Sequence, residues 1–168
     1  MKLSYRDALP SDAEAIVAFY NIVGGETDYL SFEADEYPLS PEELDGMLAG
    51  VYTRPNCRML LALDGESIVG IATLLSPAKL KSRHDAELGI VVSRAYQKLG
   101  IGTELISILI DWARGNGITT RISLETRADN LPAIGLYMRF GFVIEGTKRR
   151  QTLIGENYYD AYIMGLLL

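Results

Sequence analysis

A helical pattern between two strand-like apolar runs is the sequence feature that most constrains the fold. The runs are "AELGIVV" (86–92) and "TRISLET" (120–126), and Ile101, Leu105 and Leu109 recur between them at helical spacing. A strand–helix–strand connection cannot form a hairpin, so the pattern predicts that these two strands pair in parallel. The chain therefore needs an architecture in which helices pack on a sheet.

Polar capping residues mark the starts of the other helices. Ser11 followed by Glu14 has the spacing of a capping box before an apolar helical stripe. Ser40 with Glu43 repeats that spacing, and a proline stands at the first helical position. Asn130 is placed to cap a last helix. With the helix after residue 100, the sequence predicts about four helices.

The remaining apolar runs predict antiparallel strands. Asp64-Gly65-Glu66 joins "RMLLAL" to "SIVGIATLLS" in a hairpin pattern, and "FVIEGTKRR" and "NYYDAYIMGLL" form a closing pair. With "KLSYRDAL" as the first strand, the order is strand, two helices, three strands, helix, strand, helix, two strands. We predict one domain over residues 1–168, of the α/β (α+β) class, with a mixed and mostly antiparallel central sheet of about seven strands.

Cysteine and histidine usage excludes several kinds of chemistry. Cys57 has no partner for an internal disulfide, and His84 and Cys57 are too few for a zinc site, so we expect no metal. No apolar run approaches the about 18 residues of a membrane span, and the first residues lack a signal-peptide pattern. We expect a cytoplasmic protein with no membrane partner, whose chemistry depends on carboxylates, hydroxyls and main-chain groups.

Acidic residues are concentrated in the first third of the chain. Eleven Asp or Glu and no Lys or Arg lie between Asp7 and Thr53, within a net charge of −6. Such a surface repels nucleic acid, so we expect no nucleic-acid partner. Two interpretations stay open: a solvated, solubilising face, or a mouth that attracts a cationic ligand.

Gly100-Ile101-Gly102 stands at the start of the central helix. A helix start exposes main-chain N–H groups without intrahelical partners and the positive end of the helix dipole, so it suits a phosphate. The turn is not a P-loop, because Gly-Lys-Ser/Thr is missing, and position 105, where a dinucleotide fingerprint has its third glycine, is Leu. A plain tight turn is the alternative interpretation.

Two motifs in this order resemble the GNAT superfamily of acyl-CoA-dependent N-acetyltransferases. Gln97-x-x-Gly100-x-Gly102 is similar to the family's pyrophosphate loop, and Asn130-x-x-Ala133-x-x-Leu136-Tyr137-x-x-x-Gly141-Phe142 is similar to its second cofactor motif. The strand order and the first two helices fit as well, so the resemblance covers nearly the whole chain. One departure is Leu99, where family loops often carry a basic residue.

The resemblance implies that acetyl-CoA is the acyl donor and coenzyme A the product. The cofactor would lie between "AELGIVV" and "TRISLET", which would splay apart, with its pantetheine on the first strand and its diphosphate on the glycine turn. A main-chain N–H of Val91 or Val92 would polarise the thioester carbonyl. The implied cofactor-binding residues are Ile90, Val91, Val92, Gln97, Lys98, Leu99, Gly100, Ile101, Gly102, Thr103, Asn130 and Tyr137.

Tyr137 and Glu87 are the candidate catalytic residues. The family pattern places Tyr137 beside the coenzyme sulfur as the acid, while its apolar helical stripe also suits a plain core aromatic. Glu87 opens "AELGIVV", where apolar neighbours would make it a base acting through water, and an ordinary strand-end residue is the alternative. His84 and Cys57 are interpreted as bystanders, His84 exposed or positioning the acceptor and Cys57 buried.

The acidic segment between the first two helices resembles the wall of the family's acceptor pocket. We expect a cationic primary amine there, with Tyr29, Phe32 and Glu33 as acceptor-binding residues. A small molecule and a peptide both remain possible acceptors. A domain that binds acyl-CoA without chemistry is the alternative from another class. The Tyr-rich terminal strands also leave a homodimer open.

Overall fold

The computed structural model describes all 168 residues and contains one seven-stranded sheet with helices on both faces. The strands are β1 (Leu3–Asp7), β2 (Arg58–Asp64), β3 (Ser67–Leu75), β4 (Asp85–Val92), β5 (Arg121–Arg127), β6 (Val143–Ile154) and β7 (Asn157–Leu167). The helices are α1 (Ala13–Gly24), α2 (Pro41–Tyr52), α3 (Ile101–Gly115) and α4 (Leu131–Arg139). The predicted fold class and element order are confirmed.

The strands lie in the order β1-β2-β3-β4-β5-β7-β6. Every neighbouring pair is antiparallel except β4 and β5, the pair that the α3 crossover requires to be parallel. The Tyr-rich strand β7 lies between β5 and β6, so β6 rather than β7 forms the sheet edge. No helix is long and apolar enough to cross a membrane.

The caps decide where each helix begins. The Ser40 hydroxyl accepts from the Glu43 N–H (3.2 Å) and the Glu43 carboxylate accepts from the Ser40 N–H (2.8 Å), which confirms that capping box. The Ser11 capping box is wrong, because a 3₁₀ turn at Pro10–Asp12 precedes α1. The Asp12 carboxylate accepts from the Leu9 N–H at 2.7 Å and so closes that turn, but it caps no N–H group of α1.

Two apolar clusters hold the helices on opposite faces of the sheet. The larger cluster packs α3 and α4 on one face, and Leu105, Ile106 and Leu109 in it are fully buried. The smaller packs α1 and α2 on the other face through Ile16, Leu44 and their neighbours. The fold therefore has three layers, and its one parallel strand pair lies in the middle of the sheet.

Strands β4 and β5 pair over only three residues and then separate. Asp85–Glu87 pairs with 121–123, and the Asp85 carboxylate fastens this end by accepting from Arg121 Nε (3.0 Å) and Ser123 Oγ (2.8 Å). Beyond that point β4 stays paired with β3 up to Val92, and β5 stays paired with β7 up to Arg127. The result is a gap in the sheet between residues 88–92 and 124–127.

Candidate active site

The turn before α3 presents six consecutive main-chain N–H groups that donate no hydrogen bond. They belong to residues 98–103, and the first N–H bonded in the helix is that of Glu104, to the Gly100 carbonyl at 3.0 Å. Lys98 (φ 62°) and Gly100 (φ 85°) are both left-handed, which is the backbone alternation that gathers N–H groups into an anion-binding concavity. With the positive end of the α3 dipole, this turn has the features of an anion-binding site.

The two glycines of the turn have different surroundings. A Cβ atom at Gly100 would meet nothing within 4 Å, so its left-handed backbone is what favours glycine. A Cβ atom at Gly102 would lie 3.4 Å from Leu136 and 3.8 Å from Ile90. Glycine at 102 therefore lets α3 approach β4 and α4 closely, which brings the turn to the mouth of the gap.

The exposed edge of β4 offers main-chain groups to the gap. The Ser93 N–H donates to the Val69 carbonyl at 3.0 Å. Because main-chain groups alternate in direction along an antiparallel ladder, the N–H and C=O of Val91 face β3, and those of Ile90 and Val92 face the gap. The gap-facing Val92 carbonyl accepts from Gln97 Nε2 at 3.2 Å. The expected thioester donor is the N–H of Val91 or Val92, and this register argues against Val91, because its N–H points toward β3 and away from the gap.

Tyr137 lies on α4 beside Phe142, with the ring centroids 5.9 Å apart. Only 8% of Tyr137 is exposed, and its hydroxyl, which bonds to no protein group, belongs to that exposed part. Burial raises the pKa of Tyr137 to about 12, so the phenol is protonated at neutral pH. The site thus holds a neutral O–H donor that is free to serve a ligand.

The face of the sheet covered by α1 and α2 carries the site's carboxylates. Glu87 is exposed, so the expectation that apolar neighbours enclose it is wrong. Alternation along β5 places Ser123, Glu125 and Arg127 on the same face as Glu87. The Glu125 carboxylate accepts from Lys148 Nζ (2.5 Å) and Gln151 Nε2 (3.1 Å) of β6. Sequence analysis missed Glu125, although the polar alternation in "TRISLET" carries the signal.

Residues 25–40 form an irregular loop over this face. Phe32 packs in an aromatic cluster, with its ring centroid 6.0 Å from Tyr20 and 5.5 Å from Tyr37. Tyr29 lies over the Arg127 guanidinium at 4.8 Å, so one face of its ring is already occupied by a cation of the chain itself. Glu33 is exposed. Of the three predicted acceptor-binding residues, Phe32 therefore has the clearest structural role.

Several carboxylates in the first third of the chain already accept hydrogen bonds from other residues of the protein. The Glu26 carboxylate accepts from Ser93 and Arg94, the Glu36 carboxylate accepts from the Glu33 N–H at 3.1 Å, and Glu43 caps α2. Glu14 and Glu42 stand in the first turns of α1 and α2. Part of the acidic excess is thus explained by the construction of the loop and the helices.

Three further residues considered in the sequence analysis are Asn130, His84 and Cys57. Asn130 Oδ1 accepts from the Ala133 N–H at 3.4 Å, as predicted for a helix cap. His84 is exposed just before β4, at the end of the strand away from the gap. Cys57 is buried, and its Sγ accepts from the Ser76 N–H at 3.4 Å.

A separate surface depression of about 380 Å³ lies at the other end of α3. Asp7, Tyr52, Arg58 and Trp112 contribute to its lining. Since a helix rises about 1.5 Å per residue, the 15 residues of α3 put it about 20 Å from the glycine turn. It does not belong to the site at the gap.

The fold and the turn define an acyl-transfer class of protein, and comparison with known families identifies it. Residues 17–142 match the acetyltransferase (GNAT) family, so the chain belongs to that family. In structure, it is similar to a GNAT-family acetyltransferase from Streptococcus pneumoniae, with a TM-score of 0.95 and 36% identity over 99% of both chains.

Two curated relatives differ in the acceptor that their names state. The chain is 33% identical over 115 residues to the L-amino acid N-acetyltransferase AaaT of Escherichia coli K12. The matched region covers 66% of this chain and 68% of that protein. It is 42% identical over 84 residues to the [ribosomal protein bS18]-alanine N-acetyltransferase of the same strain, which covers 46% of this chain and 51% of that protein. The second match thus spans about half of either protein.

Proposed function

We propose that this protein is an acetyl-CoA-dependent N-acetyltransferase that moves an acetyl group to a primary amine within a ternary complex. Acetyl-CoA is the cosubstrate of the family to which the chain belongs. The observation that carries the proposal is the row of unpaired N–H groups at residues 98–103, next to a gap between two strands. A diphosphate on that row directs the rest of the carrier along the free edge of β4.

Holding the donor is the first task of the site. The diphosphate accepts hydrogen bonds from the turn, and the pantetheine amides pair with the gap-facing main chain of Ile90 and Val92, as an added strand would. Gln97 supports this edge through its bond to the Val92 carbonyl. The acetyl group then lies in the gap, between α4 and the face that carries the loop.

The transfer itself needs no metal and no covalent enzyme intermediate. The neutral amine attacks the thioester carbonyl carbon, a C–N bond forms, and the carbonyl oxygen takes negative charge against a gap-facing main-chain N–H of β4. The C–S bond then breaks, the sulfur takes a proton from the Tyr137 hydroxyl, and the amine nitrogen loses its extra proton to a base. The products are the acetylated amine and coenzyme A.

Two carboxylates compete for the role of base. Glu87 lies at the paired end of β4 and is exposed, which suits proton removal through water. Glu125 lies beside the gap but is held by Lys148 and Gln151. Glu87→Gln and Glu125→Gln, measured side by side as pH–rate profiles, decide between them. The variant that loses the acidic limb of kcat/KM identifies the base, and an unshifted limb in Glu87→Gln removes Glu87.

We propose a cationic small-molecule amine as the acceptor. Asp28, Glu33 and Asp35 are exposed on the loop and attract a protonated amine. A terminal α-amino group of a peptide is the second candidate, because one relative is named for a ribosomal protein and another for amino acids. A panel of diamines, amino sugars, amino acids and peptides compares them, and a preference for anionic or uncharged acceptors contradicts the proposal.

Release of free thiol from acetyl-CoA in the presence of each amine tests the function directly. We expect amine-dependent release with at least one class of acceptor. A folded protein that binds coenzyme A but releases no thiol with any amine would instead be an acyl-CoA-binding module. The free Tyr137 hydroxyl favours the enzyme, since a module that only binds has no use for an acid at the sulfur.

A further inference from the structure

A four-residue segment, Glu26–Tyr29, connects the separated ends of β4 and β5. At its first residue, the Glu26 carboxylate accepts from the Arg94 N–H at 2.7 Å and from Ser93 Oγ at 3.2 Å. Ser93 and Arg94 directly follow the last residue of β4. One end of the segment is therefore fixed where β4 ends and the chain turns toward the diphosphate loop.

The other end is fixed by Arg127, the last residue of β5. Its Nη1 donates to the Asp28 carbonyl at 2.9 Å, and its guanidinium carbon lies 4.8 Å from the Tyr29 ring centroid and 4.0 Å from that of Tyr159 in β7. The Asp129 carboxylate accepts from Nε at 2.9 Å and from Nη2 at 2.6 Å. Arg127 is 9% exposed, and its planar group is held by two aromatic rings, a carboxylate and a main-chain carbonyl.

These two anchors bridge the α1–α2 face at the open end of the gap. Three Cα–Cα steps of 3.8 Å limit the distance from Glu26 to Tyr29 to about 11 Å. The stack of Tyr29, Arg127 and Tyr159 also joins the loop to the β6–β7 hairpin. An extended peptide would need a continuous cleft between that loop and that hairpin, and the stack closes the cleft.

We propose that Glu26–Tyr29 is an acceptor strap, held in place by Arg127 as a positioning residue, that admits small-molecule primary amines and excludes the ends of polypeptides. The inference rests on the proposed function, because it concerns the acceptor side of the same reaction. Arg127 acts through the strap and does not itself contact acetyl-CoA. The strap favours the small-molecule acceptor over the ribosomal-protein type of acceptor.

Arg127→Lys is the variant that tests the strap. Lysine keeps the charge but lacks the planar group that pairs with Asp129 and stacks between two rings. Arg6→Lys is the matched control, because Arg6 lies on the distant edge strand β1 and also forms a two-bond pair, with Asp12 at 2.6 and 2.9 Å. Glu26→Ala removes the carboxylate that holds the other end of the strap, and it is the second test variant if Arg127→Lys does not fold.

The assay measures thiol release from acetyl-CoA with free amino acids and diamines, and with hexapeptides that begin with the same amino acids. We expect wild-type kcat/KM to be about 100-fold higher for the best small amine than for the best hexapeptide. In Arg127→Lys this ratio should fall about tenfold through a raised acceptor KM, while the Kd for acetyl-CoA stays unchanged. Arg6→Lys should keep the wild-type ratio.

Two results would overturn the strap and leave the proposed function standing. One is a wild-type protein that acetylates hexapeptides as well as free amines, and the other is an unchanged ratio in the variants of both anchors. Hydrogen exchange of the amides of residues 25–30 supplies a readout without turnover. If no amine releases thiol, the proposed function fails, and equal exchange in wild type and Arg127→Lys then overturns the strap as well.

Discussion

Removing the Tyr137 hydroxyl should abolish most of the turnover without disturbing the fold. In Tyr137→Phe the ring keeps its place beside Phe142, and no protein hydrogen bond is lost because the hydroxyl forms none. We therefore expect the free energy of unfolding to change by less than about 0.5 kcal/mol. A general acid contributes about 10²- to 10⁴-fold, so kcat should fall by that factor.

The pH dependence adds a second check on the same residue. Burial raises the pKa of Tyr137 to about 12, so the phenol remains the donor throughout the neutral and mildly alkaline range. Wild-type kcat should therefore show no loss from Tyr137 ionisation between about pH 7 and 10. A basic limb in that range that disappears in Tyr137→Phe would contradict this assignment.

Steady-state kinetics with acetyl-CoA and the best acceptor of the panel measure the effect, and calorimetry measures the Kd for acetyl-CoA. Tyr5→Phe is the matched control, because Tyr5 is a half-buried tyrosine on the distant edge strand β1. An unchanged kcat in a folded Tyr137→Phe protein refutes the role of Tyr137. A loss of acetyl-CoA affinity as large as the loss of kcat would reassign Tyr137 to binding.

Three further predictions concern the fold that carries the site. Leu105→Ala should lower the free energy of unfolding, measured with denaturant, by about 2–5 kcal/mol, since Leu105 is fully buried under the sheet. A loss below about 1 kcal/mol, half of the lower bound, would contradict the packing. Ser40→Ala should cost about 0.5–2 kcal/mol, because the Glu43 N–H loses its cap. The bond to Arg6 lowers the pKa of Asp12, so that pair stabilises the fold above the ordinary aspartate pKa of about 4, and the stabilisation is lost as the pH falls through the lowered value. Asp12→Asn should accordingly lower the free energy of unfolding at pH 7, and the difference from wild type should become smaller in acid. A difference that stays the same at every pH would refute the assignment.

The order of elements could be predicted from the sequence because each element carries its own local signal. Helical spacing in α3, the Ser40 cap and the Asp64-Gly65-Glu66 turn are all encoded within a few residues, and the structure confirms them. Ser11 failed because a 3₁₀ turn occupies Pro10–Asp12, so that α1 begins at Ala13 and Asp12 rather than Ser11 is the residue before it. Local sequence patterns do not distinguish between two adjacent residues that could each precede a helix.

The parts of the site that were missed depend on long-range contacts. Glu125 and Arg127 are ordinary polar positions of a strand until β6, β7 and the loop residues Asp28 and Tyr29 are brought against them. Likewise, the approach of Leu136 to Gly102 is a long-range contact that no spacing within the turn reveals. Sequence patterns therefore predicted residues for the donor side of the site, whereas most of the acceptor side required the structure.

Main-chain NMR during a titration with coenzyme A tests the account most directly. Pantetheine, which lacks the diphosphate, is the matched ligand. The amide signals of residues 98–103 should shift strongly with coenzyme A and remain in place with pantetheine, while those of Ile90 and Val92 respond to both. Unmoved signals at residues 98–103 with saturating coenzyme A would contradict the claim that this turn holds the donor.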